Sequence, residues 1–202
     1  MIKQYAAIMI DPPWTFKVWS KKTGQGRSAE KHYPTLDIEA MKSLPINQLF
    51  KPDCAVFMWV TWPILPEALL LATAWGLIYK TLAFDWLKRT TTGEKWHMGM
   101  GYWSRANSEP CLLFTQGSPK RKSKGVRQLL VDDEQPSLFP PLVARVMAHS
   151  VKPDEAYRRI EELVDGPYLD IFARRTRKNW DAIGNEIDGK DIRDFFAEKI
   201  GE

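Results

Sequence analysis

The stretch Tyr5-Ala-Ala-Ile-Met-Ile-Asp11-Pro12-Pro13-Trp14 decides how the rest of the chain is read. Tyr5 to Ile10 is a short apolar run, and the two prolines that follow Asp11 cannot continue a β-ladder. The pattern predicts a buried strand that stops at a loop. In an open α/β sheet, ligands bind outside the carboxyl ends of the strands. The sequence therefore sets a carboxylate, a rigid turn and a large aromatic ring at one such end. Asp and Pro are also ordinary turn residues, so a plain strand-to-loop turn is the alternative. Trp14 and the basic stretch after it weigh against that alternative.

Working outward, residues 15–35 are polar, with Gly24, Gly26 and five Lys/Arg, and read as a mobile surface loop. Leu36 to Phe50 has helical spacing interrupted at Pro45. Ala55 to Val60 reads as a second buried strand. Pro63 to Trp75 reads as a helix with proline in its first turn and Gly76 just past its end. Ile78 to Leu87 is a third strand, residues 89–101 a second polar loop, and Pro110 to Thr115 a fourth strand. Gly117 to Gly125 is a basic turn without an acidic residue. Val126 to Val131 follows as a strand, then an irregular stretch over 132–150. Pro153 to Val164 is amphipathic, with Asp154 and Glu155 suited to the positive end of a helix dipole. Tyr168 to Phe172 is a last core strand and residues 188–199 a terminal helix. Strands alternating with helices predict an α/β fold around a mostly parallel sheet, with helices on both faces. The span 78–115 lacks a helix, which predicts an antiparallel hairpin in that sheet. Without a linker or repeat, residues 1–202 read as one domain.

A hydrophobic content of 44% is that of a globular chain and excludes disorder. The formal charge of +4 gives mild support to a polyanionic partner. Nine tryptophans are expected mainly in the core, with a few left to stack on a ligand. Cys54 and Cys111 sit in apolar runs and read as buried thiols of a reducing compartment. With three scattered histidines they form no metal-ligand spacing, so no metal is expected. Met1 leads straight into the first strand without a signal-peptide layout, and no apolar run is long enough to span a bilayer. The expectation is a cytoplasmic protein without a membrane partner. Gly99-Met100-Gly101 lacks the third glycine and following helix of a dinucleotide loop.

Asp11-Pro12-Pro13-Trp14 is the first of an ordered set of blocks. His32-Tyr33-Pro34-Thr35, Phe57-Met58-Trp59-Val60-Thr61, Gly101-Tyr102-Trp103-Ser104-Arg105 and Ser108-Glu109-Pro110-Cys111-Leu112 follow it. Lys152-Pro153-Asp154-Glu155, Asp170-Ile171-Phe172-Ala173-Arg174-Arg175, and Asn179-Trp180-Asp181 through Gly184-Asn185-Glu186 complete it. In this order they resemble the adenine-N6 methyltransferases with the Asp-Pro-Pro-Trp signature, the type of the eukaryotic mRNA adenosine methyltransferase catalytic subunit and its bacterial and phage relatives. The resemblance covers residues 8 to about 188. It implies a Rossmann-like fold dependent on S-adenosylmethionine, in which the catalytic loop precedes the main cofactor-binding segment.

Carried over position by position, the resemblance implies that Asp11 and Pro12 hold the target amine, within a catalytic set of Asp11, Pro12, Pro13 and Trp14. It implies that Asp11 and Lys152 lie near the methionine end of the cofactor, Arg174 near its ribose, and Asn185 and Glu186 on the ribose hydroxyls and neighbouring atoms. The residue chemistry agrees. An adenine amine is a poor nucleophile because its lone pair is delocalised. Two acceptors set against its N–H bonds favour a pyramidal nitrogen. Asp11 offers a carboxylate. Pro12 offers a carbonyl fixed by consecutive prolines, with no competing donor expected nearby. Trp14 is expected to stack on a base flipped from its helix. Glu186 suits a vicinal diol. His32 and Tyr33 are candidates for substrate contact in the first polar loop, and Lys120, Arg121 and Lys122 for phosphate contact. Arg175 aligns loosely with a ribose-contacting histidine, and the acidic strand that precedes the signature in the large eukaryotic relative is expected to be absent or replaced by a later segment. DNA is the favoured polymer, with RNA the other candidate. The resemblance leaves room for a homodimer that no residue specifies. A silent nucleic-acid-binding scaffold and a cytosine-N4 methyltransferase are the competing readings.

Overall fold

The computed structural model describes residues 2–14, 36–90, 95–99, 101, 103–131 and 152–200. The loop predicted over 15–35 and the irregular stretch 132–150 lie outside them. Seven strands form one sheet: β1 (Tyr5–Ile10), β2 (Phe50–Trp59), β3 (Ile78–Leu87), β4 (Ser108–Gln116), β5 (Leu129–Val131), β6 (Tyr168–Ile171) and β7 (Trp180–Ile183). Their order across the sheet is β5-β3-β4-β2-β1-β6-β7. Only β4 runs against the others, so the predicted hairpin of β3 with β4 is present in a mostly parallel sheet.

Both faces of the sheet are covered. Ile8, Ile10, Val56 and Met58 pack with α1 (Ile38–Ser43), α2 (Leu65–Ala74) and α5 (Ile192–Ile200) through Met41, Ala68, Leu71, Ile192 and Phe196. Ala7, Met9, Phe57 and Trp59 pack with α3 (Asp154–Leu163) through Ala156, Tyr157 and Ile160. Two-sided burial is why β1 and β2 read as unbroken apolar runs without alternation. Cys54 and Cys111 are buried free thiols within these packings.

Local chemistry sets the element ends. Asp37 caps α1 by accepting from the Ala40 N–H at 2.8 Å. Proline stands in the first turn of α2, and Gly76 ends that helix at φ +77°. There the N–H of Leu77 reaches the Ala72 carbonyl at 2.9 Å, a paired-bond helix stop that requires the left-handed residue. Several boundaries differ from expectation. β2 starts at Phe50, because Pro52 falls where the register with β1 shifts and no ladder donor is needed. The terminal helix expected over 188–199 starts only at Ile192, because a separate turn, α4 (Asn185–Asp188), stops at Gly189, φ +79°. The strand expected from Val126 is only Leu129–Val131. Among the described residues, no helix is long and apolar enough to cross a membrane.

The register aligns the strand ends. Ile10 stands beside Met58 of β2 and Ile171 of β6, and Ile171 beside Ile183 of β7. The chain after β1 turns toward β2, while β6 and β7 lie on its other side. Asp11 therefore caps the point where strand order reverses, and a crevice opens there.

Candidate active site

The Asp11-Pro12-Pro13-Trp14 turn is held from several sides. The Asp11 N–H donates to the Ile171 carbonyl at 3.3 Å, and the Leu36 N–H donates to the Pro13 carbonyl at 3.1 Å. The Trp14 indole N–H donates to the Trp59 carbonyl at 3.2 Å, and the residue is only 5% exposed. Two expectations change. The Pro12 carbonyl does have a competing donor: the Trp14 N–H reaches it at 2.8 Å, because the turn folds back on itself. One lone pair of that oxygen remains for a ligand. Trp14 is packed into the core and offers a wall of the crevice; too little of the ring is free for it to be an open stacking platform.

A buried chain of charges lies behind the turn. Lys152 Nζ is 2.9 Å from Asp11 Oδ2 and 2.7 Å from Glu109 Oε1, with side-chain exposures of 5%, 19% and 12%. Lys88 pairs with the other oxygen of Glu109. Lys152 also lies over the Trp59 ring, 5.5 Å from its centroid. Two carboxylates and two ammonium groups balance, which makes burial of all four tolerable. Burial alone would lift Glu109, but Lys152 and Lys88 outweigh it and hold the carboxyl at about 2. Burial would depress Lys152, but Asp11 and Glu109 keep it protonated beyond the ordinary lysine range. Asp11 shares Lys152 with Glu109. Burial pushes its carboxyl up, Lys152 opposes this, and Glu109 adds to it.

In front of these groups is a cavity of about 430 Å³. Asp11, Pro12, Pro13, Trp14, Leu36, Thr61 and Glu109 line one part; Lys152, Phe172, Arg174, Gly184, Asn185 and Glu186 line the other, with Asp191, Ile192 and Arg193 at the start of α5. Phe172 directly follows β6 with φ +61°, a backbone state that costs a bulky residue about 1–3 kcal/mol and is seen mainly at functional sites. At Gly184 a Cβ would lie 2.2 Å from the Ala173 carbonyl oxygen, so the strand ends meet there without side chains between them. Arg174 stands 3.4 Å from Glu186. Behind Asp11, Tyr157 donates to Asp170 at 2.6 Å, and burial lifts the Asp170 carboxyl to about 7. Arg177 covers the Tyr157 ring at 3.5 Å and, with Arg175, is bound to Asp154, so these two arginines brace α3.

Of the residues singled out in the sequence, Asp11, Pro12, Pro13, Trp14, Lys152, Arg174, Asn185 and Glu186 share this cavity. Lys120, Arg121 and Lys122 do not reach it. They follow β4, whose start is at the crevice, so nine residues of strand put them roughly 30 Å away at the other end of the sheet. Lys122 there pairs with Asp165 at 2.9 Å. His32 and Tyr33 lie outside the described residues. Sequence reasoning missed Glu109, Lys88 and Thr61. Glu109 had a signal, since an acidic residue opening an otherwise apolar strand calls for a buried cation, and Thr61 closes one of the ordered blocks; Lys88 had none.

The family model for MT-A70 matches residues 5–186. The chain belongs to the MT-A70 family. Among the relatives of this MT-A70 chain, the "Type II methyltransferase M.MunI" of Mycoplasma sp is 30% identical over 204 residues, covering 92% of the chain and 78% of the relative. The human "N(6)-adenosine-methyltransferase catalytic subunit METTL3" is 28% identical over 199 residues, covering 96% of the chain and 30% of the relative. The Drosophila melanogaster "N(6)-adenosine-methyltransferase MT-A70-like protein" is 27% identical over 194 residues, covering 94% and 28%. The chain thus spans most of the first relative and under a third of the other two.

Proposed function

We propose that this chain is an adenine-N6 methyltransferase of nucleic acid that uses S-adenosylmethionine, with DNA the favoured polymer. The observation that carries the reading is the pairing of the Asp11 carboxylate with the fixed Pro12 carbonyl at the mouth of a cavity sized for a nucleoside-bearing ligand.

The residues present fit the methyl donor. Asp11 and Lys152 offer opposite charges to the ammonium and carboxylate of its methionine end. Glu186, steadied by Arg174, is an acceptor for a vicinal diol, and Asn185 adds a donor and an acceptor beside it. The bare backbone junction at Gly184 lets a ligand approach closely. When bound, S-adenosylmethionine supplies an electrophilic methyl carbon on sulfur.

The chain's own residues prepare the nucleophile. Lys152 occupies Asp11 Oδ2, which leaves Oδ1 to accept one amine N–H. The remaining lone pair of the Pro12 carbonyl accepts the other. The nitrogen lone pair is then localised and held in one orientation; such alignment is a major source of rate. Burial that raises the Asp11 carboxyl makes it a better acceptor for the proton the amine gives up. Trp14 and Leu36 wall the base and exclude water. DNA is favoured because the relative matched over most of its length carries a type II methyltransferase name, on a scale close to this chain.

The test is incubation with labelled S-adenosylmethionine and, separately, single-stranded DNA, duplex DNA and RNA, followed by digestion and mass identification of each modified nucleoside. N6-methyladenine in DNA is expected. Asp11→Ala is expected to abolish it while keeping cofactor binding at least in part by calorimetry. Methylcytosine would identify an N4 enzyme. Cofactor-free, inactive protein would identify a scaffold, and full activity of Asp11→Ala would overturn the mechanism.

A further inference from the structure

Thr61 follows the end of β2 with extended backbone, φ −109° and ψ 148°. It lines the cavity beside Asp11 and Glu109. Its hydroxyl oxygen is buried and has no hydrogen-bond partner among the described residues. Buried hydroxyls are nearly always paired, so one left over at a cavity wall needs a reason.

The sheet order says which ligand it faces. The residues that fit the ribose of the methyl donor, Arg174, Asn185 and Glu186, follow β6 and β7 on one side of β1; Thr61 follows β2 and Glu109 belongs to β4, on the other. A base with its amine on Asp11 and Pro12, turned toward the β6 side, carries its ring over the β2 side. The ring nitrogens that flank an adenine amine, N1 and N7, are both acceptors and need a donor. Most polar groups near them cannot serve. Asp11, Glu109 and the Pro12 carbonyl are acceptors. Two of the three Lys152 N–H bonds are directed at Asp11 and Glu109, and the Trp14 indole N–H is given to the Trp59 carbonyl. Among the described residues that line the cavity, the Thr61 hydroxyl is the buried group without a partner. An extended backbone accepts more than one staggered χ1, and the contact requires the rotamer that turns this hydroxyl from the wall toward the ligand.

Resting on the function proposed above, we infer that Thr61 donates a hydrogen bond to a ring nitrogen flanking the target amine and is a residue that positions the target base. Where that nitrogen is N7, the contact also rejects cytosine, which has a C–H in the corresponding place.

The test compares the unaltered chain, Thr61→Val and Thr61→Ser on an oligonucleotide that the unaltered chain methylates, with adenine, 1-deazaadenine or 7-deazaadenine at the target. Valine keeps the shape and removes the donor. On adenine, Thr61→Val is expected to lose about tenfold in kcat/KM, the worth of one buried neutral hydrogen bond, and Thr61→Ser to retain activity. On one of the two deaza bases, the unaltered chain is expected to lose a similar factor and Thr61→Val to lose nothing further, which names the nitrogen read. Cofactor binding by calorimetry is expected to be the same in all three proteins. Equal losses for Thr61→Val on all three bases, no loss on adenine, or weakened cofactor binding would each overturn the inference and leave the proposed function standing. Failure of the unaltered chain to methylate adenine in any polymer would overturn both.

Discussion

Replacing Glu109 with glutamine keeps its shape and removes the charge that two lysines share. The carboxyl is held at about 2, against 4.5 for an ordinary glutamate. At about 1.4 kcal/mol per pKa unit, the charged form gains about 3 kcal/mol from its surroundings, net of desolvation. Lys88, Glu109 and Lys152 are 31%, 12% and 5% exposed, so solvent screens little of this. Removing one member of a buried ion cluster costs a similar amount, because the partners stay buried without compensation. For a domain of this size, 1 kcal/mol corresponds to about 2–4 °C, so Glu109→Gln should unfold about 6–12 °C below the unaltered chain at pH 7. The sign with pH follows from a depressed carboxyl. Its stabilisation is complete above about pH 4.5 and is lost as pH falls through about 2, so the gap between the two proteins should narrow in acid. Thermal unfolding followed by circular dichroism at pH 7 and pH 3 tests this, together with Lys88→Met and the double variant. Pairing the two changes removes both charges, and the double variant should recover part of the single losses. A gap below about 2 °C at pH 7, a gap that widens in acid, or strict additivity would refute the clamp as a source of stability.

Three further outcomes follow from the geometry. Gly184→Ala puts a Cβ 2.2 Å from the Ala173 carbonyl oxygen, against backbone that cannot swing aside, so stability should drop by about 1–3 kcal/mol in urea titrations and S-adenosylmethionine binding should weaken in calorimetry. Asp170 has a carboxyl raised by burial to about 7 from 3.8, so the folded state holds a proton the unfolded state has lost; its contribution is whole below about pH 4 and gone above about pH 7. Asp170→Asn should therefore flatten the fall of stability between those values, and parallel pH curves for the two proteins would contradict this. Lys120→Ala with Arg121→Ala should leave kcat/KM on a short oligonucleotide within about twofold, since surface changes away from a site act weakly and these residues lie at the far end of the sheet; a tenfold loss would mean that substrate reaches that end.

Much of the fold was legible because burial leaves a mark on local composition. β1, β3 and β6 show as apolar runs bounded by proline, glycine or a charged turn, and β3 has the bounds expected of it. Where a residue's place depends on a partner strand, the sequence was mute. Lys51-Pro52-Asp53 precedes the strand expected from Ala55 but belongs to β2, as an irregularity against β1. Trp180–Ile183 carries an aspartate and no alternation, and is a strand because β6 pairs with it; Asp181 takes Lys3 and Tyr5 at 2.6 Å each.

The sequence by itself determined the chemistry at the end of β1. A carboxylate and a proline-fixed carbonyl after a buried strand are local facts, fixed by covalent geometry and by the apolar run before them. It also determined the family, through blocks that keep their order along the chain. Only the tertiary structure decided what surrounds that carboxylate. Lys152, Glu109 and Lys88 are far apart in sequence, and each alone is an ordinary charged residue. They become one linked ion cluster because β4 runs antiparallel beside β2 and brings its first residues to the crevice. The same direction of β4 sends Lys120, Arg121 and Lys122 to the opposite end. Charge reveals its role only once burial removes water and leaves each ion to the neighbours the sheet order supplies.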